Sequence, residues 1–172
     1  MDKLLMIPMS GEEMLEYNPD AELLTYLDIA NADDIDELFN HNNKIILLYI
    51  MEKLENGGLG GHWTCLYRDR HNNHIHFFDS YGLDIDAEEK YVPLSNKNLF
   101  KENYKYLTEL LDNSNYNILH SKYKLQGKNT QTCGRFVSLR LLNKDLDDDE
   151  FFNIFFKNQM ENPDLIVCNY IN

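Results

Sequence analysis

The chain has 172 residues, 43% of them hydrophobic, and its 29 acidic against 16 basic side chains give a formal net charge of -13. That length suits a single domain, residues 1–172, with a core large enough to fold without disulfide or metal support. The charge argues against direct, nonspecific binding to a phosphate backbone, and the longest apolar run, Ile45 to Met51, is far too short to span a bilayer. Three cysteines are an odd number with no short pairing distance, which points to free thiols in a reducing compartment.

No repeat, low-complexity tract or linker divides the sequence. Residues 1–40 read as short helices: Ser10 and Glu13 have capping-box spacing, and Asp33 to Phe39 carries acids in its first turn. Lys44 to Met51 is a dense run of β-formers, read as a buried central strand. The glycine-rich loop Asn56 to Gly61 follows, where the backbone can turn sharply and approach a ligand closely. His62 to Arg68 and His74 to Asp79 form a hairpin across Asp69–Asn73. Leu99 to Asp112 is expected to be helical, with a stripe through Tyr104, Leu107, Leu110 and Leu111. A short strand at Tyr116 to Leu119 precedes the last two helices, Cys133 to Asn143 and Asp147 to Lys157. Helices, then strands, then helices again make an α+β domain. The acidic clusters, including Asp84 to Glu89 and Asp145 to Glu150, read as solvated helix starts and loops.

Cys133 opens a helix that is apolar for most of its length. A cysteine nucleophile must be a thiolate, and a helix N-terminus beside a histidine favours the anion. Gly134, directly after it, lets another chain pass close by. By itself such a cysteine is more often a small buried hydrophobe. His62 stands at a strand start, where a general base can face a cleft. Asp79 ends the apolar strand Ile75–Phe78 on the face of Ile75 and Phe77, as an acid that orients an imidazole would. It also suits the start of an Asp-Ser-Tyr-Gly turn. Gln126 can donate its amide to an oxyanion beside the backbone N–H of Cys133, or be a plain loop glutamine. Trp63 is a core or cleft-wall aromatic in either case.

Cys65 lies on the strand face opposite His62, and Cys168 has no helix start beside it, so neither competes as nucleophile. His71, His74 and His76 share a hairpin but lack a clustered carboxylate or thiol, and they read as surface polar residues rather than metal ligands. His41 and His120 carry no specific signal. Neither a metal nor a cofactor is expected.

Gly61-His62-Trp63, Phe78-Asp79-Ser80-Tyr81-Gly82 and the run from Gln126 to Gly134 resemble the adenovirus-type (adenain-like) maturation cysteine proteases, over roughly residues 45–143. That group shares a fold with the ubiquitin-like-protein-specific proteases. The 17 positions from His62 to Asp79 and the seven from Gln126 to Cys133 look like the adenovirus spacing. The short chain is most similar to enzymes of virophages and large DNA viruses. The resemblance implies a central mixed sheet flanked by helices, with the nucleophile at the start of a central helix. It also implies that Cys133 is the nucleophile, His62 the base and acid, Asp79 the orienter and Gln126 the oxyanion donor.

Gly61, Trp63 and Gly134 would flank a narrow substrate channel, and cleavage after Gly-Gly or Gly-x-Gly is implied. The substrates expected are viral capsid or core precursors, cut during virion maturation in the virion and the host-cell cytoplasm. The chain lacks a counterpart of the adenovirus activating cysteine and is strongly acidic, so activation by DNA is not expected. A monomer away from membranes is the default. Asp79 stands where the adenovirus enzyme has glutamate, as in the deconjugating branch. A protease removing ubiquitin-like tags is therefore the main alternative, followed by an acetyltransferase using the same triad and a noncatalytic binding module.

Overall fold

A computed structural model describes residues 2–53, 59–87, 97, 104–157 and 161–172. Two short helices, α1 (Asp2–Leu5) and α2 (Gly11–Tyr17), precede β1 (Ala21–Thr25), α3 (Tyr26–Asn31) and α4 (Ile35–Phe39). Then come β2 (Lys44–Lys53), β3 (Leu59–Asp69), β4 (His74–Phe78), α5 (Tyr106–Asp112) and β5 (Asn117–His120). The chain closes with α6 (Cys133–Leu142), α7 (Asp148–Phe156) and α8 (Pro163–Tyr170). Among the described residues no helix is long and apolar enough to cross a membrane.

The five strands form one mixed sheet in the order β1-β2-β3-β4-β5. The outer pairs β1/β2 and β4/β5 are parallel, and the inner pairs are antiparallel. Helices cover both faces. Ile45, Leu47, Tyr49, Leu66, Ile75 and Phe77 pack against residues of α3, α4 and α5. Ile46, Cys65, Tyr67 and Phe78 face Phe136 and Val137 of α6, with Phe151 and Phe155 of α7 and Val167 of α8 behind them. Because both faces are buried, β2 is a continuous apolar run rather than an alternating one. Between Ile50 and Glu52 its register with β3 shifts, opposite Gly61. A Cβ at Gly61 would lie 2.0 Å from the Tyr49 carbonyl oxygen, so only glycine fits one residue before His62.

The central strand, the hairpin, the Ser10–Glu13 capping box and the helix at Cys133 stand where the sequence places them. Four elements differ. Ala21–Thr25 is a strand inside the region read as helical. Five residues carry too little periodicity to declare themselves, and pairing with β2 decides their state. β3 begins at Leu59, before the expected His62; residues 56–58 of the glycine loop lie outside the described residues. The helix expected from Leu99 starts at Tyr106, with Tyr104 exposed before it; residues 99–103 lie outside the described residues. Finally, α8 was not expected, although Asn162 and Pro163 are an N-cap and first-turn pair.

The start of α5 is fixed by Asp86, a buried residue at positive φ of 61°. Its carboxylate accepts bonds from Tyr26 Oη (2.9 Å), Tyr49 Oη (2.8 Å), Thr108 N (2.9 Å) and Thr108 Oγ1 (2.7 Å). Burial and the Asp86 charge push the Tyr49 hydroxyl well above its usual range, so it remains a donor. Replacing Asp86 with alanine takes the acceptor from the Tyr49 hydroxyl and both Thr108 donors and leaves the Tyr26 hydroxyl with the Tyr104 carbonyl at 3.2 Å. Urea unfolding of Asp86→Ala should show a loss of about 3–5 kcal/mol, and a loss below about 1 kcal/mol would contradict this account.

Candidate active site

His62 and Asp79 are brought together by the hairpin. In the β3/β4 register Cys65 faces Phe78, which puts His62 diagonally across from the residue just past the end of β4. His62 Nε2 and Asp79 Oδ1 stand 3.1 Å apart, with side chains 3% and 0% exposed. Asp79 Oδ1 also accepts the Tyr81 backbone N–H at 2.7 Å, and its carbonyl accepts the Gly82 N–H at 2.9 Å. The Asp-Ser-Tyr-Gly turn thus exists, closed by Gly82 at φ 71°, and it orients the carboxylate. The Tyr81 ring stacks on His62 with centroids 4.9 Å apart.

Cys133 begins α6 and hydrogen-bonds His62. Since Nε2 is engaged by Asp79, Nδ1 is the nitrogen left for the sulfur. Burial opposes charging of the imidazole, but the hydrogen bonds and charges of Asp79 and Cys133 outweigh it and hold the His62 pKa well above 6.5. A protonated ring between a carboxylate and a sulfur is the arrangement that keeps a cysteine nucleophilic.

Gln126 is buried at the other side of Cys133's cleft. Its Oε1 accepts the Ser80 hydroxyl at 2.6 Å, and its Nε2 donates to the Thr130 carbonyl at 2.9 Å. The Leu125 and Gln126 N–H groups both donate to Ser80 O, at 2.8 and 2.9 Å. A carboxamide nitrogen has two N–H donors, and the Thr130 carbonyl takes only one of them. Ser80 is a residue that sequence reasoning missed. It stood in the Phe78–Gly82 motif as a turn residue, and nothing local says that its hydroxyl reaches 46 positions along the chain.

The cleft, of about 330 Å³, is lined by Gly61, His62, Tyr81, Gln126, Thr130 and Cys133 and by Met6. Trp63 and Gly134, expected to flank the channel, are not among the residues that line it; they meet each other and the N-terminal segment. Trp63 Nε1 donates to Met9 O at 3.1 Å, and a Cβ on Gly134 would approach Met9 Cβ to 3.0 Å and Met14 Sδ to 3.2 Å. The N-terminal segment is pinned at alternate carbonyls: Leu5 O by Gln131 N–H (2.6 Å), Ile7 O by Arg135 Nη1 (2.6 Å) and Met9 O by Trp63. This holds Met6 at the cleft.

The other thiols are elsewhere. Burial raises Cys65 far above the ordinary thiol range, and Cys168 is raised by burial too. His76 stacks on Tyr67, centroids 4.6 Å apart, and burial lowers its pKa. Among the described residues no cluster of three or more histidine, cysteine or carboxylate side chains could hold a metal.

The sequence is 35% identical to protein V9 of Sputnik virophage over 141 residues, covering 81% of this chain and 76% of that one. The chain belongs to the V9 family. No protein-family model matches it. Among solved structures, ChlaDub1 from Chlamydia trachomatis aligns with a TM-score of 0.51 at 13% identity, over 96% of this chain and 90% of its own. That likeness shows a shared fold. The ASFV pS273R protease (TM-score 0.44, 11% identity, 95% of this chain and 67% of that one) and the SUMO protease Ulp1 (0.37, 16%, 93% and 74%) also align, at lower scores. The chain thus has the α+β fold of ChlaDub1.

Two outcomes follow from this geometry. Iodoacetamide at pH 5.5 should alkylate Cys133 at least about tenfold faster than Cys65 or Cys168, and His62→Ala should remove the difference; peptide mass spectrometry reads both. Because folding raises the His62 pKa, its stabilising contribution is full below 6.5 and fades as pH climbs through the raised value. The stability gap between wild type and His62→Ala should therefore narrow with rising pH in urea unfolding, and a gap that widens would contradict the assigned direction.

Proposed function

We propose that this chain is a cysteine endopeptidase that cleaves viral capsid or core precursors after small residues during particle maturation. The observation that carries the proposal is the buried His62–Asp79 pair set against Cys133 at the first position of an apolar helix. Cys133 sulfur attacks the scissile carbonyl carbon. The oxyanion takes hydrogen bonds from Gln126 Nε2 and the Cys133 backbone N–H. His62 passes its proton to the departing amine, the C–N bond breaks, and a thioester remains. His62, now neutral, takes a proton from water, whose oxygen attacks the thioester. Collapse breaks the C–S bond, releases the acid and restores the Cys133 thiolate beside His62, which keeps the proton taken from water.

The preference for small residues is supported by access. Cys133 and His62 are only 4% and 3% exposed, so an extended chain reaches the sulfur only where its side chains are small. The charge of -13 favours action without a nucleic-acid activator and as a monomer; action at the viral assembly site goes with the proposed substrates.

The test is to incubate wild type and Cys133→Ala with capsid and core precursors of the same virus and to sequence the new N-termini by mass spectrometry. Cuts following Gly-Gly or Gly-x-Gly, absent with Cys133→Ala, are expected. Cleavage by Cys133→Ala would sink the mechanism. Intact precursors, with ubiquitin-like conjugates cut instead, would replace the substrate class. On a peptide carrying the mapped site, Gln126→Ala should lower kcat by about 10²-fold and leave KM within about threefold.

A further inference from the structure

We propose that Asp164, near the start of α8, is a positioning residue that holds the oxyanion side of the site in its working shape. The inference rests on the protease reading above and assigns a role to a part of the chain outside the four site residues. Asp164 is 1% exposed and does not itself line the cleft. Its Oδ2 accepts the Gly127 N–H at 2.9 Å. Its Oδ1 takes the Thr132 hydroxyl at 2.5 Å and lies 3.1 Å from the Thr130 hydroxyl. One carboxylate therefore gathers three points of the loop that joins Gln126 to Cys133. A Cβ on Gly127 would stand 2.9 Å from Asp164 Oδ2, so glycine is what lets the loop lie this close. Asp164 is fixed in turn, its N–H donating to the Asn162 N-cap at 3.0 Å.

Two consequences bear on chemistry. The Thr130 carbonyl holds one N–H of Gln126, so anchoring Thr130 fixes the plane of the carboxamide and aims the other. Thr132 is the N-cap of α6, and a threonine there ordinarily turns its hydroxyl onto the first-turn N–H groups. Here the hydroxyl donates to Asp164 instead, and no side chain caps the helix. The Gly134 and Arg135 N–H groups that a capping hydroxyl would take are thereby left uncapped by Thr132, and the same bond fixes the residue directly before Cys133, whose own N–H can serve an oxyanion. A misplacement of such donors by a fraction of an ångström weakens transition-state binding while leaving the thiol–imidazole pair untouched.

Asp164→Asn is nearly isosteric but replaces one acceptor with a donor, which must face either the Gly127 N–H or the two hydroxyls. In this variant kcat on a Gly-Gly peptide should fall about 10- to 100-fold, with KM within about threefold. Affinity for the matching peptide aldehyde, whose hemithioacetal oxygen occupies the oxyanion position, should fall at least about tenfold. Iodoacetamide alkylation of Cys133 should stay within about twofold of wild type, which general damage to the site would not allow. Thr132→Val should show a smaller loss of the same kind and Thr132→Ser should restore activity; this pair carries the test if Asp164→Asn does not fold.

Unchanged kcat and aldehyde affinity in the folded variant would overturn the proposal, as would alkylation falling in step with kcat. If wild type neither cleaves nor binds the aldehyde, the protease reading is what fails. The anchor is then judged by hydrogen exchange of the Gly127 amide. Exchange at least about tenfold faster in Asp164→Asn supports it, and equal exchange overturns it.

Discussion

The hydrogen bond between His62 Nε2 and Asp79 Oδ1 is the interaction on which the rest of the site depends. It exists because two antiparallel strands meet in one register, with Leu66 against Phe77 and Cys65 against Phe78. Strand side chains alternate, so a slip of one residue would send Asp79 to the opposite face and leave His62 without its acid. Burial of Leu66 and Phe77 on one face and of Cys65 and Phe78 on the other makes such a slip costly. The same packing that stabilises the hairpin therefore sets the geometry of the His62–Asp79 pair.

A buried ion pair gains little stability, because the desolvation of both partners offsets their attraction. The pair makes sense as a device that holds charge in place. His62 is removed from water, which opposes its protonation, and is then flanked by Asp79 and Cys133, which reverse that preference. The third component, the helix carrying Cys133, is moored from both ends of the chain. Arg135, two residues into α6, donates to Ile7 O and, through Nε at 3.1 Å, to Ile171 O. The N-terminal segment and the C-terminal segment are thus ties on the helix of Cys133 as well as cover for the core.

What was legible in the sequence follows from the range of the forces involved. Strand β2, the hairpin and the helix at Cys133 declare themselves by local pattern, and their residues lie where that pattern puts them. His62, Asp79, Gln126 and Cys133 were singled out because their motifs, in that order and at those separations, resemble the adenovirus-type proteases; the structure brings all four around one cleft or directly against it. Strand β1 was not, since a five-residue edge strand takes its state from its neighbour. Ser80 and Asp164 were not, since each acts across a long stretch of chain through a single hydroxyl or carboxylate. No local periodicity marks such a residue. The Asn162-Pro163 start signal for α8 was present, and with it Asp164 could have been placed in a first turn.

The central claim is that His62 is held protonated between Asp79 and Cys133. NMR titration of isotopically labelled histidine, in wild type and in Cys133→Ala, tests it most directly. In wild type the His62 midpoint should lie well above 6.5, and removing the sulfur should lower it. A midpoint near 6.5 that is the same in both proteins would mean that the pair is not assembled, and the account would be wrong.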